Sequence, residues 1–364
     1  MPVHALDSYY LGLTLLVTTA YQLSGFAIAY TLQIDKITDL TGGSNFFILA
    51  LLTLLAGNTF HTRNVVASVL VMVWAIRIAG FLFFRVLMTG TDGRFDEIRK
   101  HFFKFLGFWI AQILWVWIVS LPVVILNSPT ISDVSHGGSN PPFGTSRDIA
   151  GIVLWALGLF IEATADIQKY QYKSSKTIPK DKPINKGLWA WSRHPPYFGE
   201  IMCWWGMWIL CLSPTTNGSL SSSARAAQYG AIVSPIFTVI VLMFGSGVPT
   251  SAKPQAKRFY LKSYGPTARQ DDTVIWDQYK AYLRRTSILI PIPQILYKNL
   301  PTIVKKTVLL DFPMYQFDEH KDGPAAMRKR ERCQRGATIE AYIFCLVAIS
   351  LYYVRCMFSA GFGQ

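Results

Sequence analysis

The residues best suited to chemistry lie close together in one stretch, WSRHPPYFGEIMCWWG at 191–206. Arg193, His194 and Glu200 stand at the edge of an apolar run that has membrane-spanning character. A charged side chain facing hydrocarbon costs about 3 kcal/mol or more, so such residues normally face a bundle interior, a water-filled cavity or the membrane interface. We therefore expect a polar site at this end of the run.

The two prolines of this stretch predict where a helix begins. Proline disfavours helix in the residue before it and is tolerated in the first turn, so the helix should start near Pro196 or Tyr197. Arg193 and His194 then precede a helix N-terminus, whose free N–H groups and positive dipole suit an anionic or phosphate-bearing ligand. The alternative is an interfacial arginine and histidine that contact lipid phosphate within a belt of tryptophans.

Other ionisable residues fall within or at the ends of apolar runs, namely Arg77, Arg85, Glu162, Asp166 and Glu200. Residues 3, 4, 7 or 8 positions apart share one face of a helix. This spacing predicts one face with both arginines, one with Tyr197 and Glu200, and a stripe formed by Glu162, Asp166, Lys169 and Lys173. The faces could line one polar cavity that opens to the cytoplasm. Equally, Arg77 could pair with Glu162 or Glu200 while Arg85 extends to the membrane surface.

Composition indicates what kind of protein holds these residues. Of the 364 residues, 51% are hydrophobic and only 15% are charged, whereas soluble domains average roughly 25% charged. The net charge of +14 comes from lysines and arginines in loops between apolar runs. Such loops favour lipid headgroups or a phosphate-bearing cofactor as partners, and not nucleic acid. Neither the five cysteines nor the scattered histidines have metal-ligand spacing, so no metal is expected.

The elements that position the site are predicted to be membrane-spanning helices. A span needs about 20 mostly apolar residues, and eight candidates are found at 9–30, 46–60, 65–88, 102–126, 148–165, 200–212, 226–248 and 337–358. The predicted fold is therefore an all-α polytopic integral membrane bundle of about seven or eight transmembrane helices. The loops at 166–186 and 249–306 are rich in lysine and arginine, which places them on the cytoplasmic side.

The same motifs resemble those of a known family. SRHPPYFGEIMCWWG is similar to the RHPNYFGE-type motif of steroid 5-alpha-reductase-like membrane reductases, which are related to sterol reductases and, distantly, to isoprenylcysteine carboxyl methyltransferase. The likeness continues in family order through IDKITDLTGGSNF at 34–46, the WxxR…R…D.RF pattern at 74–95, EATADIQK at 162–169, SGVP at 246–249 and WDQYKAYLRRTSILIP at 276–291. It implies a membrane domain over 1–295, with the cofactor site mainly within 162–290. A cytoplasmic amphipathic and charged linker at 296–336 and an extra hydrophobic anchor at 337–364 would follow.

The resemblance implies an enzyme that binds NADPH from the cytoplasmic side without a Rossmann fold. The family's cofactor contacts would map onto Lys169, Lys173, Arg193, His194, Tyr197 and Tyr279. Basic groups suit the cofactor phosphates, and aromatic rings suit stacking. Tyr197 and Glu200 would be the catalytic candidates, because they share a helix face near the expected nicotinamide.

The expected function is therefore hydride transfer from NADPH to a polarised carbon-carbon double bond of a lipid or sterol-like substrate. Relatives point to the endoplasmic reticulum membrane, and the oligomeric state is left open. Pro196 replaces the usual asparagine, and Ala252 and Ala256 replace acidic residues. One alternative is a lipid or prenyl-cysteine-type methyltransferase that uses S-adenosylmethionine, since such relatives share the RHPxY core. Another is a non-catalytic membrane scaffold of the same fold.

Overall fold

A computed structural model describes residues 6–34, 37–89, 98–175, 177, 181–266, 268–269, 272–328 and 330. The side chains of 85–89 and the predicted anchor at 337–358 lie outside this part of the chain. Arg85, whose surface role was one of the expectations, is therefore not described beyond its helical backbone. The described residues form helices joined by turns, with no strand among them.

Fifteen α-helices are described. They are α1 (Leu11–Leu32), α2 (Thr38–Gly57), α3 (Thr62–Thr89), α4 (Phe102–Leu126), α5 (Pro129–Ser132), α6 (Ser146–Ser174), α7 (Leu188–Trp191), α8 (Pro195–Cys211), α9 (Ser213–Asn217), α10 (Ser222–Gly230), α11 (Val233–Phe244), α12 (Val248–Tyr264), α13 (Thr273–Arg285), α14 (Gln294–Asn299) and α15 (Thr302–Thr307).

Six described stretches are long and apolar enough to cross a membrane, judged by length and composition: Leu11–Leu32, Thr38–Gly57, Thr62–Phe84, Phe102–Leu126, Ser146–Ser174 and Ser222–Tyr264. The all-α polytopic membrane bundle is thereby confirmed. The predicted span at 200–212 corresponds to α8, which has 17 residues and is shorter than these six. The remaining candidate is the anchor outside the described residues.

The chain divides into two compact bodies. The first body comprises the described residues of Met1–Tyr170, His194–Gly247 and Leu289–Pro291; the second body comprises those of Gln171–Arg193, Val248–Ile288 and Ile292–Gln364. The proposed domain boundaries at 295 and 336 remain predictions.

In the first body, buried amides link the membrane helices. Gln22 of α1 donates from Nε2 to Oδ1 of Asn45 in α2 at 3.1 Å, and Gln112 of α4 donates to Oε1 of Gln22 at 3.1 Å. Gly42 allows α2 to approach this network, because a Cβ there would lie 2.6 Å from Nε2 of Gln112. Polar side chains that bond across helices stabilise membrane bundles in this way.

The second body is built around aromatic rings of α12 and α13. Phe259 stacks on Tyr279 with ring centroids 4.4 Å apart, and Trp276 meets Tyr260 edge to face at 5.5 Å. The short extended segment before α8 is hydrogen-bonded to this body, since the Arg193 N–H donates to the Ser287 carbonyl at 2.8 Å. Arg193 is therefore held by backbone contacts that its own local sequence does not reveal.

Candidate functional site

Helices α6 and α8 are in backbone contact through two pairs of glycines. A Cβ built on Gly158 would lie 2.6 Å from the Gly199 carbonyl oxygen, and one built on Gly151 would lie 2.7 Å from that of Gly206. Position 158 pairs with 199 and position 151 with 206, so the two helices run antiparallel. This contact brings the helical turn that carries Glu162 beside the turn that begins α8.

Arg77 of α3 is the cation of a buried acidic cluster. Its guanidinium pairs with the Glu162 carboxylate and donates from Nη1 to Oδ2 of Asp166 at 3.0 Å. Trp74, one turn earlier on α3, donates from Nε1 to the other Glu162 oxygen at 3.0 Å. Of the two expected partners of Arg77, Glu162 and Glu200, the structure shows the ion pair with Glu162. This pair compensates charges that would otherwise lie unpaired among apolar helices.

Glu200 is the acidic group of this region that lacks a fixed partner. Its residue is only 8% exposed, and no hydrogen bond to its carboxyl group is found among the described residues. It lies within electrostatic reach of Arg77 and Asp166. The Arg77 guanidinium therefore pairs with Glu162 and Asp166 and acts on Glu200 only through its field.

His194 and Tyr197 form a parallel stack at the start of α8. Their ring centroids are 5.3 Å apart, with an interplanar angle of 4°. The helix begins at Pro195, within two residues of the predicted start, so His194 lies before the N-terminus as expected. Glu200 follows Tyr197 by three residues, which places both on one face of α8.

The lysines of the predicted cofactor stripe are both on α6. Lys169 is half-buried and belongs to the first body, together with His194, Tyr197 and Glu200. Lys173 is exposed in the last turn of α6 and belongs to the second body. The first body therefore carries four of the predicted site residues, and the second body carries Lys173, Arg193 and Tyr279.

In the second body, Arg193 has an acidic partner that the sequence motifs did not indicate. Its guanidinium pairs with the Asp311 carboxylate, which also accepts a hydrogen bond from the Tyr297 hydroxyl at 2.7 Å. Asp311 is 8% exposed. It follows residue 295, where the resemblance ends. Arg193 as a cofactor contact stays a prediction.

Tyr279 lies in the aromatic core of the second body and is 3% exposed. Phe259 and Trp276 both stack on its ring. Burial raises the pKa of Tyr279 to about 12. The ring therefore has a structural role, and its contact with a cofactor stays a prediction.

A second buried ion pair in the first body was also missed by the sequence reasoning. Arg63 donates from Nε and Nη2 to both oxygens of Asp148, at 2.8 and 2.9 Å. Asp148 in turn accepts from the N–H groups of Gly144 and Thr145, each at 3.0 Å. Both carboxylate oxygens of Asp148 are engaged, so the Arg63–Asp148 pair stabilises the start of α6 and has a structural role. The 85-residue separation of the partners gives no local spacing signal.

The fold and the buried cluster define a polytopic all-α membrane protein that holds ionisable side chains between its helices. A family model described as "Protein of unknown function (DUF1295)" matches residues 25–267, and the chain belongs to this family. No curated protein and no solved structure matches the chain. The matched region contains the acidic cluster and the start of α8, and it ends before Tyr279 and Asp311.

Proposed function

We propose that this protein is a membrane reductase that transfers a hydride from NADPH to a polarised carbon-carbon double bond of a lipophilic substrate, such as an enone of a sterol or fatty acyl chain. The observation that carries the proposal is the buried Glu200 carboxyl group, which has no hydrogen bond among the described residues. It lies one helical turn after the stacked His194 and Tyr197 rings.

A buried carboxyl group without hydrogen bonds is unfavourable by several kcal/mol, and proteins retain such groups mainly at functional sites. Arg77 and Trp74 both bond Glu162, and Arg77 also bonds Asp166. Glu200 differs from these two residues because its carboxyl group has no hydrogen bond among the described residues, which leaves it able to accept one from a ligand. The carboxamide of a nicotinamide ring is a neutral donor of the right kind, and this fit supports NADPH as the cofactor.

The remaining first-body residues suit the rest of such a molecule. Lys169 provides positive charge for phosphate, and the parallel rings of His194 and Tyr197 provide a flat aromatic surface next to a helix N-terminus. NADPH, when bound, supplies the hydride. Tyr197 would polarise the substrate carbonyl through its hydroxyl group, Glu200 would hold the nicotinamide end and a transferable proton, and the apolar helices would exclude water.

Activity can be tested with purified full-length protein, NADPH and a panel of enone lipids, by following NADPH oxidation and the reduced lipid. We expect turnover with at least one enone, and a loss of roughly 100-fold or more in Glu200→Gln and Tyr197→Phe, as for removal of a proton-transferring group. Asp133→Asn, which changes a partly exposed loop carboxylate of the same body, is the matched control. Turnover that is equal in all three variants contradicts the assigned roles.

We further propose that the protein resides in the endoplasmic reticulum membrane with the cofactor site facing the cytoplasm. The lysine-rich stretch at 166–186, which comprises the end of α6 and the loop after it, supports this orientation, because cytoplasmic segments accumulate lysine and arginine. A tag inserted in the loop after α6 should be digested by protease added to intact microsomes. If that tag is protected and a tag inserted in the loop at 127–146 is digested, the protein has the opposite orientation in the membrane.

A further inference from the structure

The second body contains a cavity of about 500 Å³ with a strongly basic wall. The basic residues that line it are Arg193, Lys280, Arg284, Lys298, Lys305 and Lys306. Two acidic residues, Asp311 and Glu319, line it as well. The wall therefore holds six basic groups against two acidic groups.

The two acidic groups are already engaged. Asp311 pairs with Arg193, and Glu319 accepts from Nζ of Lys280 at 3.1 Å. Among the described residues, no carboxylate lies within ion-pair distance of Arg284, Lys298 or Lys306. The cavity therefore keeps an excess of positive charge that its own walls do not neutralise, and such a site attracts an anion.

Lys305 is held at the cavity by its neighbours. Its Nζ lies 4.8 Å from the centre of the Tyr297 ring and donates to the Lys298 carbonyl at 3.2 Å. The Tyr297 hydroxyl is itself fixed on Asp311 at 2.7 Å. These contacts connect α14 and α15 into a pre-formed basic wall.

The helices around this cavity expose large aliphatic side chains, which is unusual for the surface of a soluble protein. On α14, Ile295 and Leu296 are 79% and 60% exposed, and on α15, Ile303 is 70% exposed. Val308, just after α15, is 66% exposed. Short helices that combine exposed aliphatic side chains with lysines typically lie in the membrane interface, with their apolar side chains at the acyl boundary.

We infer that this cavity binds the phosphate headgroup of an anionic membrane lipid, with α14 and α15 lying on the membrane surface around it. The lysines would neutralise the phosphate, and the exposed aliphatic side chains would contact the acyl chains of the same leaflet. Among the basic residues of the cavity, Arg193 alone was predicted as a cofactor contact. Lys298, Lys305 and Lys306 have no part in the predicted cofactor site, so the inference goes beyond the proposed reductase function. All three also lie after residue 267, where the family match ends.

The test uses the full-length chain in detergent and a short-chain, water-soluble phosphatidic acid as the probe, with phosphatidylcholine of the same chain length for comparison. The variant is Lys298→Gln with Lys306→Gln. Both lysines are exposed, so the protein should fold normally. The matched control is Lys321→Gln with Arg328→Gln, which removes two exposed charges from the same body outside the cavity.

We expect phosphatidic acid, but not phosphatidylcholine, to bind the wild type, with affinity reduced roughly tenfold or more in the cavity variant and by added salt. The control variant should bind like the wild type. Equal affinity in cavity and control variants overturns the inference. Binding of glycerol 3-phosphate or inorganic phosphate as tight as that of the lipid overturns the lipid assignment and indicates a soluble ligand. NADPH affinity should be unchanged in the cavity variant, so the result is independent of the reductase proposal.

Discussion

Gly158 of α6 and Gly199 of α8 approach so closely that a Cβ built on Gly199 would lie 2.5 Å from the Gly158 carbonyl oxygen and 2.7 Å from the Glu162 backbone nitrogen. Only glycine allows two helices to come this near. The contact sets the distance between Glu162 of the acidic cluster and Glu200 of the candidate site. The geometry of the candidate site therefore depends on these two glycines.

Substitution of these glycines should separate the two helices. We expect Gly158→Ala to lower the stability of the protein by about 1–3 kcal/mol, as overpacking does, with a lower melting temperature in detergent. Gly80→Ala in α3 is the matched control, since a Cβ there meets no atom within 4 Å; it should be neutral or slightly stabilising. Equal melting temperatures for the two variants would contradict the close contact.

The Arg77 cluster gives a second prediction. Arg77→Met leaves Glu162, which is 3% exposed, as a buried charge without its cation, and such a loss costs about 3–5 kcal/mol. Adding Glu162→Gln to the same chain should recover a large part of this loss, because the stranded charge is removed. A double-mutant cycle on thermal unfolding in detergent measures the coupling. If the stability changes of the two single variants simply add up to that of the double variant, the two residues are not coupled.

Asp311 should hold the segment after residue 295 on the second body. In Asp311→Asn, Arg193 loses its charged partner and Tyr297 loses a carboxylate acceptor, so we expect a loss of about 3 kcal/mol. Hydrogen exchange at 296–316 should accelerate as a result. Asp277→Asn removes a carboxylate that is 67% exposed and paired with Lys280, and it should change stability by no more than about 0.5 kcal/mol. Unchanged exchange in the Asp311 variant would show that the segment is held by other contacts.

The buried Tyr279 makes the second body sensitive to alkaline pH. Its pKa is raised from 10.0 to about 12 by burial, so between these values the folded state keeps a proton that the unfolded state has lost. Stability is therefore full below about pH 10 and falls above it by about 1.4 kcal/mol per pH unit. Tyr279→Phe should flatten this fall in alkaline denaturation curves of the full-length chain relative to the wild type. An alkaline fall as steep in Tyr279→Phe as in the wild type would exclude Tyr279 as the source.

The features that could be predicted from the sequence are those with a local signal. The membrane helices follow from long apolar runs, and the start of α8 follows from its two prolines. An acidic partner for Arg77 follows from the need to compensate charge in hydrocarbon, but the sequence did not distinguish Glu162 from Glu200, and Asp166 as a second acceptor was not foreseen. For the helices and the start of α8, one segment of chain contains enough information.

Contacts between distant segments could not be predicted in this way. Arg193 was recognised as important, but its partner Asp311 is 118 residues away in a region interpreted as a linker. Tyr279 was chosen from a motif, and its position in an aromatic core depends on rings contributed by α12. The glycine pairs of α6 and α8 were not predicted, because the role of a glycine in a helix contact depends on which residue packs against it.

The measurement that tests the central claim most directly is a calorimetric titration of purified full-length protein with NADPH and, separately, with S-adenosylmethionine. A reductase that uses Glu200 should bind NADPH and not S-adenosylmethionine, and Glu200→Gln should weaken NADPH binding by roughly tenfold or more, as expected for the loss of a buried carboxyl group that hydrogen-bonds the ligand. Asp133→Asn should leave the affinity unchanged. Binding of S-adenosylmethionine alone would indicate a methyltransferase, and binding of neither cofactor would indicate a scaffold; either result contradicts the account.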